Sequence, residues 1–467
     1  MKFKFSSIIL PLIFILIGLI AITLRFYINF SSDLIIGVNG AYYPLQVRHI
    51  LQHGTLAFND MPFLFYLNAA IIKIISLFGV AINDNLIINV VKVVDSIGLP
   101  MLLIPLYSLI KNANFKTPLV FRISIMAYSV LSFAPMILIC DIQKNSLAIV
   151  FVFASIVSII NFLNNPSIRK VLWPIIWMTL TALTHFGTFS FFMSFVLILI
   201  FVVYKKKAII PAIIIAAIGL SVIAIFDLSR FYRLITVLLV AFDMPMILFG
   251  VLAPPDIFMI MFSMILAGFG LIYLKKNSKI ISATEKGIIL ASVLSLFILA
   301  NPLLDMQFFM RLSLFIFIPQ ILILFYVSAN IKPRKLIYIS AFLLIITTIS
   351  LLGSFKHQRT AVINSQEYAD LKKIKQIINA EERNIICARH GLEWWTAWIV
   401  QTDVVHERAI EDAQPVNYSN TYYLVQRREH YPDGPAKQGH FPEPVIPEKT
   451  EIVYQSEFFV LYRLVEK

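Results

Sequence analysis

Long apolar runs fill the sequence from Met1 to about Gly353, and the short polar gaps between them are sorted by charge. The gaps on one side hold seventeen Lys and Arg, among them Lys111, Lys116, Lys205, Lys206, Lys207, Lys275 and Lys276, and one acid, Glu285. The gaps on the other side hold nine acids and eight basic residues, and the tail from Lys356 onward holds sixteen acids and fourteen basic residues. The net charge of +13 therefore lies on one face. Basic residues held on the cytoplasmic side of a bilayer orient such a chain. The N-terminus is then expected inside and most acids and His residues outside.

A chain of 467 residues that is 59% hydrophobic and only 14% charged is not an ordinary soluble protein. Its basic residues are scattered through short gaps and form no continuous patch, which argues against a nucleic-acid partner. The two cysteines, Cys140 and Cys387, make neither a metal-ligand pattern nor a disulfide framework. No zinc site is expected. Lys2 and Lys4 precede the first apolar run and no small-residue cleavage site follows it, so it reads as a signal anchor.

About 20 apolar residues cross a bilayer. Spans are predicted near 7–24, 89–110, 118–137, 145–163, 171–186, 188–204, 208–226, 256–274, 286–301, 312–329 and 336–352. Eleven spans with the N-terminus inside place the tail outside. Two further apolar segments, 62–80 with Lys73 and 231–252 with Arg233 and Asp243, break the charge alternation if they cross. The first is predicted as a helix in the outer interface with Lys73 reaching water, the second as an interfacial or re-entrant piece. The fold class is thus an all-α polytopic membrane protein with a small C-terminal α/β domain on the extracytoplasmic side. Residues 1–352 form the membrane domain, with a first outer loop at 25–62; 353–365 form a linker and 366–467 the outer domain. Helical spacing marks 42–53, with Gly54 as its stop, and 366–380. Strand-like runs lie at 384–388, 404–407 and 421–425, a hairpin at 451–465 and a Pro-rich loop at 432–447.

Ionisable residues at membrane ends are functional candidates, since they cost energy unless they face water or a cavity. The loop running from Asp33 through Asn39-Gly-Ala-Tyr42-Tyr43-Pro-Leu-Gln-Val-Arg48-His-Ile50 to Gly54 is the most specific segment. It resembles the first outer loop of the GT-C glycosyltransferases, in particular members like oligosaccharyltransferases and protein mannosyltransferases. Tyr42, Tyr43, Arg48, Ile50 and Gly54 fit that pattern, and Met61-Pro62-Phe-Leu-Phe-Tyr66 fits the interfacial segment that follows it.

The resemblance implies inverting transfer of a sugar from a polyprenyl-phosphate donor to a glycan, lipid or protein acceptor at the outer face of a plasma (inner) membrane. A divalent cation is compatible with it. In the family a loop carboxylate serves the acceptor as base or metal ligand. Here Asn39 stands at that place. A shifted base (Asp33, with Asp60 as another), a different acceptor and an inert relative all remain open. Asp141 opens a span on the outer side and is a second catalytic candidate, binding acceptor or metal, or a charged hinge. Lys144 offers a point charge to a donor phosphate. His185 could donate to a phosphate or sugar hydroxyl, or be a packed histidine. Arg311 suits the donor phosphate through its two-pronged guanidinium, or pairs with Asp305. Trp394 and Trp395 loosely resemble the Trp-Trp-Asp-Tyr-Gly motif of oligosaccharyltransferases, with the Asp-Tyr-Gly part absent. Their faces suit sugar rings, or they form a domain core. A lipid-linked glycan flippase is the alternative from another class; the nearly uncharged span centres favour chemistry at the rim.

Overall fold

The computed structural model describes residues 6–112, 117–205, 241–243, 245, 254–356, 360–379, 381–406, 418–427, 429 and 442–465, with single residues 210, 213, 217, 232, 236 and 240. The predicted span at 208–226, most of segment 231–252 and the Pro-rich loop up to 441 lie outside these. The chain divides into two compact units. The first comprises 1–21, 99–138 and 145–356, the second 22–98, 139–144 and 357–467.

The first unit is helical. Among the described residues eight helices of the chain are long and apolar enough to span a bilayer: Ile9–Asn29, Asp84–Lys111, Leu119–Ile137, Gln143–Asn164, Phe186–Tyr204, Asp256–Asn277, Phe308–Ser328 and Pro333–Phe355. Two more expected spans appear as helices of 17 residues, Ile168–Thr184 and Ala283–Leu299. Several spans are broken where prolines dictate. Helix Leu119–Leu131 stops at Ser132, whose ψ of 176° is extended. Pro135 has no N–H for the Leu131 carbonyl, and its ring crowds it. A 3-10 turn, Leu99–Leu102, holds Pro100, and another, Ser313–Phe315, precedes helix Phe317–Ser328 with Pro319 in its first turn. Leu12, Leu16 and Leu19 stay more than half exposed on the first span, the pattern of a helix whose outer face meets lipid.

The second unit joins the first loop to the tail. Gly54 ends helix Tyr42–His53 in the left-handed conformation at φ 78°, as its sequence predicts. Helix Phe63–Ser76, the segment expected in the interface, follows and packs on Tyr42–His53. Leu77 and Phe78 at its end are 82% exposed, which suits insertion among lipid headgroups. In the tail, helix Ser365–Ile377 carries a capping box, with Asn364 and Glu367 satisfying each other's backbone N–H groups. Five strands follow: β1 Asn384–Ala388, β2 Asp403–His406, β3 Asn420–Gln426, β4 Thr450–Gln455 and β5 Phe459–Leu464. The sheet order is β2-β1-β3-β5-β4. Strand β1, between β2 and β3, is parallel to both and buried along its whole length, as its run Asn-Ile-Ile-Cys-Ala requires. The β1–β2 crossover is helix Leu392–Val400, which holds the tryptophans and which the sequence reading left without an element.

Candidate functional site

The site is built on the turn that opens the loop helix. Gly37 adopts φ +95° and donates its N–H to the Thr360 carbonyl at 3.1 Å. A Cβ on Gly37 would lie 2.7 Å from the Asp141 Cβ, so only glycine permits this approach. The approach brings the Asp141 carboxylate to the turn, where Oδ1 accepts the Asn39 N–H at 2.6 Å. Asn39 itself offers no carboxylate, yet one reaches its backbone from 102 positions away. Tyr43 is buried and donates its hydroxyl to the Asp141 carbonyl at 3.1 Å. Burial pushes its phenol well above the usual range, with Asp141, Tyr42 and Asp95 adding to the effect, so it stays protonated and can donate.

Tyr42 faces the other way. Its hydroxyl donates to Asp60, whose carboxylate is also ion-paired with Lys144. Burial alone would raise the Asp60 pKa. The Lys144 ammonium, with hydrogen bonds from Lys144, Tyr42 and the Met61 N–H, outweighs it, and the net shift is downward. Lys144 also lies 5.5 Å from the Tyr42 ring centre and 5.7 Å from that of Phe65. Gln46 fixes the far end of the loop: its amide donates to the Phe58 carbonyl at 2.9 Å and accepts from the Ala57 N–H at 2.8 Å. Trp394 closes the group edge-on, its ring centre 4.9 Å from Tyr42 and 5.2 Å from Phe58.

Asp141, Tyr42, Tyr43, Lys144 and Trp394 are thus brought together, and Asp60 joins them. Other expected residues have different surroundings. Asp33 is exposed, and the Lys92 ammonium binds its carbonyl and that of Ser32. No described contact links it to Asp141. Arg48, expected at the substrate, is instead buried against the tail. Its guanidinium lies 3.8 Å over the Trp398 ring and donates to the Trp398 carbonyl at 2.6 Å, capping the last turn of that helix. Trp395 is fully buried and packs edge-on to Tyr368, so it is a core residue and not a substrate surface. In the first unit, the His185 ring is a helix cap: Nδ1 accepts the Thr188 N–H at 3.1 Å. Arg311 is exposed in the last turn of the short helix Met306–Leu312.

His49 and His53 stand one helical turn apart with ring centres 4.5 Å from each other, a His-x-x-x-His spacing that the expectation of no zinc site overlooked. Among the described residues no three His, Cys, Asp or Glu side chains converge to hold a metal ion. Asp60 already faces an ammonium, and Asp141 is engaged with a backbone N–H. A divalent cation beside Asp60 would meet like-charge repulsion from Lys144.

No family model and no curated protein matches the sequence. A solved structure does match: the Archaeoglobus fulgidus oligosaccharyltransferase in complex with Zn and sulfate, at a TM-score of 0.57 and 14% identity. The fold is shared with an oligosaccharyltransferase. The match covers 84% of this chain and 62% of the archaeal one, so the chain spans under two thirds of that protein's length. The resemblance to oligosaccharyltransferases read from the first loop thus has a counterpart in the fold.

Proposed function

We propose that the chain is an integral-membrane glycosyltransferase that moves a sugar from a polyprenyl-phosphate donor to an acceptor at the extracytoplasmic face of a plasma membrane. The observation that carries this reading is the bond from the Asn39 N–H to Asp141 Oδ1. It supplies a carboxylate at the one loop position where the sequence departs from the GT-C pattern. The shared fold supports the same assignment.

In this reading Asp141 accepts a hydrogen bond from the acceptor and aligns it on the sugar C1. Holding two reactants in line removes much of the entropic barrier. Tyr43, fixed on the Asp141 carbonyl, keeps the turn rigid. Lys144 supplies positive charge where charge grows on the leaving phosphate; the GT-C resemblance assigns the donor phosphate to Arg311, whose paired N–H groups suit it. Trp394 offers an aromatic edge to a sugar ring.

The test is transfer of label from radiolabelled polyprenyl-phosphate sugars into native membranes. Wild type is expected to transfer. Asp141→Asn is expected to slow transfer by about 100-fold, the cost of a misplaced reactant, and Arg311→Ala to raise the donor KM. Asp33→Asn separates the two carboxylates: loss there with full activity in Asp141→Asn would move the role to Asp33. A folded wild-type protein that transfers from no donor would reject the assignment.

A further inference from the structure

The end of helix Tyr42–His53 carries two imidazoles on one face. Residues four apart on a helix are neighbours, so His49 and His53 meet. Their ring centres are 4.5 Å apart and their planes are tilted by 47°. His49 is half-buried and His53 exposed, so the pair opens to solvent. The helix stops directly behind them at Gly54, where an added Cβ would meet nothing within 4 Å. This end of the helix has room for a hydrated ion.

The turn also fixes the state of one ring. Gly54, at φ +78°, brings the chain back, and His49 Nδ1 lies 2.7 Å from the Thr55 carbonyl oxygen. A carbonyl only accepts, so Nδ1 carries the hydrogen, and in the neutral ring Nε2 keeps its lone pair. Metal-binding histidines are held in this way, with one nitrogen donating to a carbonyl or carboxylate and the other left for the ion. Tyr66 of the next helix donates its hydroxyl to the Gly54 carbonyl at 2.8 Å and ties the turn from a second side. Arg48, next in sequence, is directed to Trp398 and Asp84, so its charge is engaged away from the pair.

The ring spacing matches two ligands of one ion. Metal–nitrogen bonds of about 2.0–2.1 Å, at the angles of square-planar or tetrahedral coordination, place two imidazole centres roughly 4.5 to 5 Å apart. We propose that His49 and His53 form a binding site for a divalent transition metal of the zinc, nickel and copper class. Imidazole nitrogen suits these ions, whereas magnesium and calcium prefer oxygen. Among the described residues no group of three His, Cys, Asp or Glu converges, so the site has two protein ligands and leaves positions for water or an incoming donor atom. The bound ion clips the last turn of the helix whose first turn holds Tyr42 and Tyr43. Neither Asp60 nor Asp141 takes part, and the inference stands apart from the glycosyltransferase reading.

The experiment titrates zinc ion against a chromogenic chelator into the full chain in detergent, purified without a polyhistidine tag. Wild type is expected to bind one ion that a large excess of magnesium does not displace. His49→Gln and His53→Gln are each expected to weaken binding by about 10²-fold, because each leaves a single ligand where two acted together. Zinc should raise the melting temperature of the wild type and of neither variant, since an ion bound only to the folded chain stabilises it. His53→Gln, at an exposed position, should melt like the wild type when metal is absent, which separates loss of the site from loss of the fold. Copper in place of zinc should show two nitrogen donors by electron paramagnetic resonance in the wild type and one in His53→Gln. Unchanged zinc affinity in either variant overturns the proposal, because the ion then sits elsewhere. Displacement by magnesium overturns it too, as does wild-type binding no tighter than that of the double variant.

Discussion

At the scale of single residues, Gly37 and Asp60 control how the loop meets Asp141 and Lys144. Gly37→Ala forces a left-handed φ on alanine and a contact with the Asp141 side chain that real Cβ atoms do not make. Destabilisation of more than about 1 kcal/mol is expected, beyond that of an Ala at a compatible site, and is read from thermal melting in detergent. The two perturbed carboxylates predict opposite acid behaviour. The folded pKa of Asp60 lies below its unfolded value, so its contribution is present above about pH 3.9 and is lost as pH falls through the folded value. The folded pKa of Glu393 lies above its unfolded value, so its contribution is present below about pH 4.3 and is lost as pH rises through the folded value. Melting temperature against pH should therefore gain an acid-side slope in Glu393→Gln that differs in sign from that in Asp60→Asn. Identical slopes would remove one of the two shifts. Much of this level was legible, because Tyr42, Tyr43, Asp141, Lys144 and Trp394 belong to recognisable local runs. The Asp60–Lys144 pair was not, since its partners are 84 positions apart. Arg48 was misread for the same reason: its carbonyl partner is 350 positions away.

At the scale of elements, two spans are locked together at one end by one carboxylate. Asp95 is buried and receives Arg25 Nη2 at 3.2 Å, Asn29 Nδ2 at 2.9 Å and the Cys140 N–H at 2.9 Å. These three bonds join helix Ser6–Asn29, helix Asp84–Gly98 and the segment that carries Asp141. The pair Arg25–Asp95 is fully buried. Asp95→Ala strands the guanidinium and is expected to cost about 3–5 kcal/mol, with transfer lost because Asp141 is displaced. The double replacement Arg25→Met with Asp95→Leu should recover most of the stability, since it leaves no buried charge. Equal melting of the single and double variants would show that the pair does not carry this junction. Composition placed these charges at the rim but could not pair them. Periodicity gave the helices Tyr42–His53 and Ser365–Ile377 and the strands β1, β2 and β3, while helix Leu392–Val400 escaped it. Its tryptophans face both helix Ser365–Ile377 and the loop, so no single apolar stripe announces a helix.

For the molecule as a whole, the distribution of charge makes a claim that contacts within either unit cannot make. Seventeen basic residues against one acid on one set of loops lead us to expect those loops inside and the tail outside. The proposed chemistry depends on it, because the loop group must share the compartment of the acceptor. Both native cysteines are buried, so a thiol introduced at the surface reports its own side without competition. Lys279 lies in a basic gap and is exposed, and Glu448 in the tail is exposed as well. In intact cells a membrane-impermeant maleimide is expected to label Glu448→Cys at once and Lys279→Cys only after the membrane is opened. The reverse pattern would put Asp141 and Lys144 in the cytoplasm, where a soluble nucleotide sugar is the accessible donor. A lipid-phosphate donor would then lose its rationale even if transfer were observed. Labelling of both in intact cells would mean that an even number of crossings separates them, against the charge rule, and the span count would have to be rebuilt around helix Ala283–Leu299.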